Sequence, residues 1–418
     1  MAIQSSAVSI LNKIIYEKIP FSLALKQAFK KDDTDKENKV AISALVGCAL
    51  RHYLVMEAII KNAYPEIESD GFLAILVVLS DVLFIKKTSL EECYAFASSF
   101  LKENDKPIVD FIAPYLEDKK LVPDNIEVGS LEFLSYRYNI PLPVIRMWNK
   151  HYGHITLSKM LKSLSKPAPV VVRINNLRIS DDDLFSTYPD FEKCDVAGVS
   201  IYRGKEKIKF HEAYTRHLVE QLPLAYKDLI DEGDVDLLRG LAIYSEYAND
   251  ILLELLSRNE TLNNVEFIAG NYSAYNSTKN TLNRLSIRGV NLYEANAQGI
   301  ITCLSKPVHS FIVMPDSSRF NLFQILPDYF LRFEMENLDN LISNQSLALK
   351  EASQQIEDGG YLMYLVDTIS KKESISVINQ FLKENPNFTL VREKQYFPFK
   401  KYGGSYFIAV MKKGQNND

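Results

Sequence analysis

The feature that most constrains this chain is the pattern after Leu222, where short β-rich runs alternate with amphipathic helical segments. The runs VEFIAG, FIVM, YLMYLV and SYFIAVM are separated by YANDILLELLSRN, STKNTLNRLSIRG and SVINQFLKEN. Such alternation calls for a Rossmann-like sheet, mostly parallel, with helices on both faces. The last strand is expected over Ser405–Met411, after the Gly403–Gly404 turn. A sheet of this kind places its chemistry in loops beyond the carboxyl ends of its strands. The stretch FIVMPDSS, where a buried run ends in Asp316, Ser317 and Ser318, is one such loop.

The rest of the chain has a different texture. From Val8 to about Leu116 apolar residues recur at helical spacing, as in SAVSILNKIIYEKI and GFLAILVVLSDVLFI. Asp32–Lys39 is a charged break, and Pro65 and Pro107 fall at helix boundaries. This predicts an all-helical domain over 1–128, closing in the polar stretch Glu117–Val128. A small α/β subdomain is expected over 129–220 around PAPVVVRINNLRIS, with Ser180 capping the next helix, and the Rossmann-like domain over 221–418. A length of 418 residues accommodates these three parts.

Charge and composition narrow the function. A net charge of −5 excludes a surface that is basic throughout, so any nucleic-acid contact must be local. Cys48, Cys93, Cys194 and Cys303 lack metal-ligand spacing and read as core thiols, and no metal site is expected. His211 and His217 do not share a helical face, which removes a metal helix from consideration. The start of the sequence carries no basic segment followed by a long apolar run, and no stretch is long enough to span a bilayer. A cytoplasmic protein with no membrane association is expected. Ser317 lacks the surroundings of a hydrolase nucleophile. Trp148, Tyr136 and Tyr138, near Arg137, Arg146 and Lys150, suit core packing better than an RNA-stacking surface.

The helical N-terminus with ALVGCALRHYLVMEAII, the segment PVVVRINNLRIS, the run NQSLALKEASQQIEDGGYLMY and the tail SYFIAVMKK together resemble the Sun family of bacterial 16S rRNA cytosine-C5 methyltransferases. That resemblance covers nearly the whole chain, and implies a NusB-like helical domain before an α/β RNA-binding subdomain and a methyltransferase-type domain. It also places the family's chemistry on particular residues. Met314 stands at the base-contacting acid, Ser317 at the helper cysteine and Asp367 at the nucleophilic cysteine, while Arg319 and Asn321 replace loop glycines. A carboxylate is a poor substitute for a soft thiolate that must add to the ring and leave again. At the S-adenosylmethionine site, Ser245, Glu246, Tyr247 and Ala248 replace the glycine-rich turn, and Asn271 replaces the ribose-binding acid. Two tyrosines and a glutamate would crowd that turn, and Glu246 would repel the ligand's carboxylate.

The resemblance thus implies a scaffold without the family's catalytic apparatus and without a bound cofactor. Its retained role would be to bind RNA, in particular rRNA, through Arg173, Asn175 and Arg178, or a ribosome-assembly protein through the helical domain. Two alternatives stay open. One is an active S-adenosylmethionine-dependent rRNA methyltransferase. The other is new chemistry in the old pocket, for which Asp316, Ser317, Glu246 and Asp367 are the available polar groups.

Overall fold

The computed structural model describes residues 2–31, 35–103, 105–118, 121–123, 126–247 and 249–415. The chain divides into two compact units, Met1–Leu161 with Leu322–Met335, and Lys162–Asn321 with Glu336–Asp418. Of the stretch expected as a linker, Glu117–Val128, residues 119–120 and 124–125 lie outside the described residues.

The first unit is helical. Its centre is the helix Ser69–Ser80, whose residues Gly71–Ser80 are all buried, which explains why SDGFLAILVVLS is apolar all round. Helices Ala2–Ile15, Lys36–Arg51 and Tyr53–Ala63 pack around it. Short polar side chains fix the helix starts: Asp35, Ser89 and Ser130 accept the backbone N–H groups of Asn38, Glu92 and Phe133. The inserted segment Leu322–Met335 belongs here through Asp328, which is fully buried and accepts Phe21 N–H at 3.0 Å and Arg332 Nε at 2.8 Å. Trp148 is also fully buried, and Arg146 pairs with Glu132 at 3.0 Å, in keeping with the packing reading of this aromatic segment. Among the described residues no single helix is long and apolar enough to cross a membrane.

The second unit holds two sheets. A small antiparallel sheet has the order β2-β3-β1-β4, from β1 (Val170–Ile174), β2 (Phe191–Lys193), β3 (Val199–Tyr202) and β4 (Val219–Glu220). Ser180 caps the helix Asp181–Thr187 through Asp183 N–H, as its position predicts. The large sheet comprises β5 (Leu241–Ser245), β6 (Val265–Ala269), β7 (Val290–Glu294), β8 (Val308–Met314), β9 (Ile356–Val366), β10 (Phe388–Gln395) and β11 (Phe407–Lys413). Its order is β10-β11-β9-β8-β5-β6-β7, parallel except for β11, which runs antiparallel to both neighbours. The two faces are covered by separate apolar cores, so the central strands β5 and β8 are buried along their whole length. The chain winds outward from β5 through β6 to β7, then returns to β8 on the other side. That reversal opens the crevice between the carboxyl ends of β5 and β8.

Candidate functional site

Three loops meet at that crevice, following β5, β8 and β9. In the first, Glu246 is held from several sides. Tyr244 Oη donates to its carboxylate at 2.7 Å, Asp316 N–H at 2.6 Å, and Asn344 Nδ2 at 2.9 and 3.0 Å to the two oxygens. The side chain lies against Gly270, where an added Cβ would stand 2.3 Å from Glu246 Cγ, so only glycine fits there. Tyr244 is fully buried within the sheet, and Tyr247 turns aside under Arg319, whose guanidinium carbon sits 4.3 Å from the ring centroid. Ser245 ends β5 fully buried, and its carbonyl accepts Gly270 N–H at 2.8 Å. Asn271 caps the helix Tyr272–Arg284 by accepting Ala274 N–H at 3.0 Å, and donates to the Glu246 carbonyl at 2.8 Å. Ala248 lies outside the described residues.

In the second loop Met314 is fully buried in the core, and Ser317 Oγ donates to the Asp367 carbonyl at 3.1 Å, so Ser317 ties two loops together. No base reaches it: His309, earlier on β8, pairs with Glu357 at 2.9 Å and Arg239 at 3.2 Å. Ser318 donates its N–H and its hydroxyl to Glu373, both at 2.7 Å, and Thr368 and Gln345 also reach that carboxylate. Burial raises the Glu373 carboxyl above its usual range despite these donors. Sequence reasoning missed Glu373, because SKKES reads as an ordinary solvated loop.

Asp367 follows β9 and is 7% exposed. Asn321 Nδ2 donates to its Oδ2 at 3.0 Å, while Oδ1 has no hydrogen-bond partner among the described residues. Burial pushes its pKa up to about 7, with Asn321 and Arg319 pulling the other way. Asp316 is likewise raised by burial, against the pull of Arg319. The four cysteines are elsewhere in the chain, and burial raises each of their thiols. Among the described residues no His, Cys, Asp and Glu group could hold a metal ion. His211 Nδ1 accepts Ala213 N–H at 3.1 Å, and His217 pairs with Glu220 at 2.9 Å.

The sites expected to bind RNA separate in the structure. Arg173 is 5% exposed and makes a buried ion pair with Glu254, Nε to Oε2 at 2.7 Å and Nη2 to Oε1 at 3.2 Å. Its third contact is to the Gly198 carbonyl, and a side chain at Gly198 would strike the guanidinium at 2.6 Å. Arg173 is therefore not the surface cation expected of it: strand alternation points it inward, where it joins β1 to the helix Asp250–Leu256. Asn175 forms a local turn, accepting Leu177 N–H at 3.3 Å. Arg178 is exposed and lines a cleft of about 550 Å³ with Asn175, His217, Glu220, Arg284 and Arg288. Arg284 and Arg288 make no ion pair among the described residues. Burial raises the Glu220 carboxyl, with His217, Arg284 and Arg178 opposing.

No family model and no curated protein matches the sequence. Solved structures do match its fold. "Crystal Structure of PH0851" aligns over 98% of this chain and 99% of that one, at 16% identity and a TM-score of 0.73. The fold is that of a methyltransferase. NSun6 from Pyrococcus horikoshii with SFG aligns over 65% of this chain and 97% of that one, at 10% identity and a TM-score of 0.56. A methyltransferase homolog protein from the same organism aligns over 69% of this chain and 100% of that one, at 14% identity and the same TM-score.

These comparisons correct one expectation. The reading that the chain takes no cofactor is overturned by a structure of this fold determined with SFG. Glu246 does not present a bare carboxylate, since four hydrogen bonds meet its charge, and the Tyr247 ring lies against Arg319. Glu246 and Asp316 place carboxylates just beyond the ends of β5 and β8, a charge that suits the cationic part of S-adenosylmethionine.

Proposed function

We propose that the protein is an RNA-binding relative of the rRNA cytosine-C5 methyltransferases that does not carry out cysteine-dependent C5 methylation, and that it acts in the cytoplasm in rRNA binding or ribosome assembly. The observation that carries this reading is the cleft lined by Arg178, Arg284 and Arg288 in a chain whose net charge is negative. Arginines gathered on one exposed cleft are the local basic patch that a phosphate backbone needs, and planar guanidinium forks suit phosphate oxygens. Glu220, engaged by His217, and Glu260 also line the cleft, so three guanidinium groups stand against two carboxylates there.

The lack of C5 chemistry rests on Asp367 and Ser317, which stand where a thiolate and its helper are needed. Glu246 and Asp316 would face S-adenosylmethionine, which when bound supplies an electrophilic methyl group. Holding the cofactor does not provide the nucleophile that activates a cytosine ring at C5. A ribosome-assembly protein bound through the helical unit is the reading that remains if RNA affinity is absent.

Fluorescence anisotropy with labelled rRNA fragments over a salt series tests the proposal. Affinity should fall with rising salt, and Arg178→Ala, Arg284→Ala and Arg288→Ala should each lower the slope by about one. Affinity untouched by the triple substitution, or absent at low salt, would sink the RNA reading. Methyl transfer from labelled S-adenosylmethionine to C5 of cytosine in rRNA should be undetectable, and transfer at that position would overturn the chemical half of the proposal.

A further inference from the structure

The cleft that holds Arg178, Arg284 and Arg288 is also lined by Glu220, and the fold puts this carboxyl in a confined place. Glu220 ends β4, directly opposite Arg173 of β1 in the antiparallel register. Residues opposite each other in such a pair point to the same face, so Glu220 turns, as Arg173 does, toward the helix Asp250–Leu256. The cation across the strand does not serve it, because the Arg173 guanidinium is taken by Glu254 and the Gly198 carbonyl. Glu220 is 9% exposed and meets His217 Nδ1 at 2.9 Å.

The groups around Glu220 carry both signs. Burial raises its carboxyl, and His217, Arg284 and Arg178 hold that rise down. Asp250, at the start of the facing helix, is raised by burial and then by Glu220 itself. Two of the arginines that would meet a phosphate are therefore the same groups that keep Glu220 ionised. A phosphate set against Arg178 and Arg284 offsets their field at Glu220. It leaves a confined carboxylate next to a second one, with its opposing cations engaged elsewhere, and a proton on Glu220 removes that conflict.

We propose that a phosphodiester entering the cleft draws one proton from solvent onto the Glu220 carboxyl, so that the cleft binds an RNA strand more tightly as pH falls. The proposal rests on the RNA reading of this cleft and adds its regulation. The occupied cleft holds more protons than the empty one, so affinity rises toward low pH, and protonation favours binding by the factor by which binding favours protonation. The proton changes the cleft from three guanidinium groups against two carboxylates to three against one. The groups that face Glu220 are His217 beside it, Tyr214 from the helix Glu212–Thr215, Asp250, Arg284 at the end of the helix Tyr272–Arg284, and Arg178 after β1. Burial raises the Tyr214 phenol, which stays neutral near pH 7 and takes no part.

The test uses the full chain and a uridine oligonucleotide without a terminal phosphate, because neither its phosphodiesters nor its bases titrate between pH 5 and pH 8. Calorimetry at low salt in two buffers of different ionisation enthalpy should show net proton uptake on binding. Affinity should rise by about fivefold from pH 8 to pH 5, the lower end of ordinary ligand couplings. Glu220→Gln, which removes the charge and keeps the shape and His217, should bind about fivefold tighter than wild type at pH 8 and lose that uptake. Without RNA it should melt no lower than wild type at pH 8, where burial opposes the charge it removes. A lower melting point there would overturn the premise and the proposal with it. Binding that Arg178→Ala and Arg284→Ala weaken but that does not vary with pH, or proton uptake that persists in Glu220→Gln and so belongs to His217, would overturn the proposal and leave the arginine-cleft reading standing. Absence of binding at every pH would sink both.

Discussion

Replacing Arg173 with alanine separates a structural arginine from a phosphate contact. The substitution removes one partner of a pair whose side chains are 5% and 0% exposed, and leaves the Gly198 carbonyl without its guanidinium donor. Breaking a buried ion pair from one side costs about 3–5 kcal/mol, because the remaining charge stays buried. Here Glu254 keeps Arg258, with Nη2 at 2.6 Å and Nε at 2.9 Å from its Oε1, so the loss should fall near about 3 kcal/mol, the lower end of that range. For a unit of this size that lowers the melting temperature by about 6–12 °C. The pair is shielded from solvent, so the loss should persist at high salt. Differential scanning calorimetry reads the shift, and anisotropy well below both melting temperatures should find rRNA affinity unchanged. Arg178→Ala should do the reverse, with unchanged melting and a shallower salt slope. An Arg173→Ala protein that melts with the wild type and binds RNA more weakly would refute the argument.

Other perturbations follow from the same geometry. The Asp367 carboxyl is raised to about 7 in the folded protein from about 3.9 unfolded, so the folded state binds the extra proton. The associated stability is fully present below about pH 4 and is lost as pH rises through 7, by at most about 4 kcal/mol. Asp367→Asn should therefore melt higher than wild type at pH 8 and level with it at pH 4, and a lower melting point at pH 8 would contradict the assigned environment. Asp328→Ala should destabilise the helical unit by about 1–3 kcal/mol, read by urea unfolding, because the Phe21 N–H and Arg332 lose a buried acceptor. With thiols raised to about 11 at Cys48 and about 12 at Cys93, neither should react with iodoacetamide in the native protein at pH 8, whereas rapid labelling there would show that these residues are not packed as described.

How far the sequence could be read depended on whether periodicity or side-chain direction was needed. The alternation of VEFIAG, FIVM, YLMYLV and SYFIAVM with helical runs was enough for the sheet, since burial on both faces leaves an unbroken apolar signature. Ser180 as a helix cap and the apolar helix Ser69–Ser80 were legible for the same reason, because each depends on neighbours a few residues away. Arg173 was misread because its partner Glu254 lies 81 positions later, and nothing in PVVVRINN shows that the arginine points inward. The donors that hold Glu246 were out of reach for the same reason: Asp316 and Asn344 come from 70 and 98 positions away.

The loops after β8 and β9 show what such long-range contacts do to individual side chains. The resemblance sets Asp367 and Ser317 at the positions of two thiols, and their environments in the fold differ. Ser317 has become a brace, donating to the backbone carbonyl of Asp367, and its neighbour Ser318 has joined the buried Glu373 network with Thr368. Asp367 is held by one amide, kept from water, and left with an oxygen that has no hydrogen-bond partner among the described residues. A satisfied serine and a carboxyl that burial raises to about 7 thus stand in adjoining loops, and only the second makes stability depend on pH near neutrality.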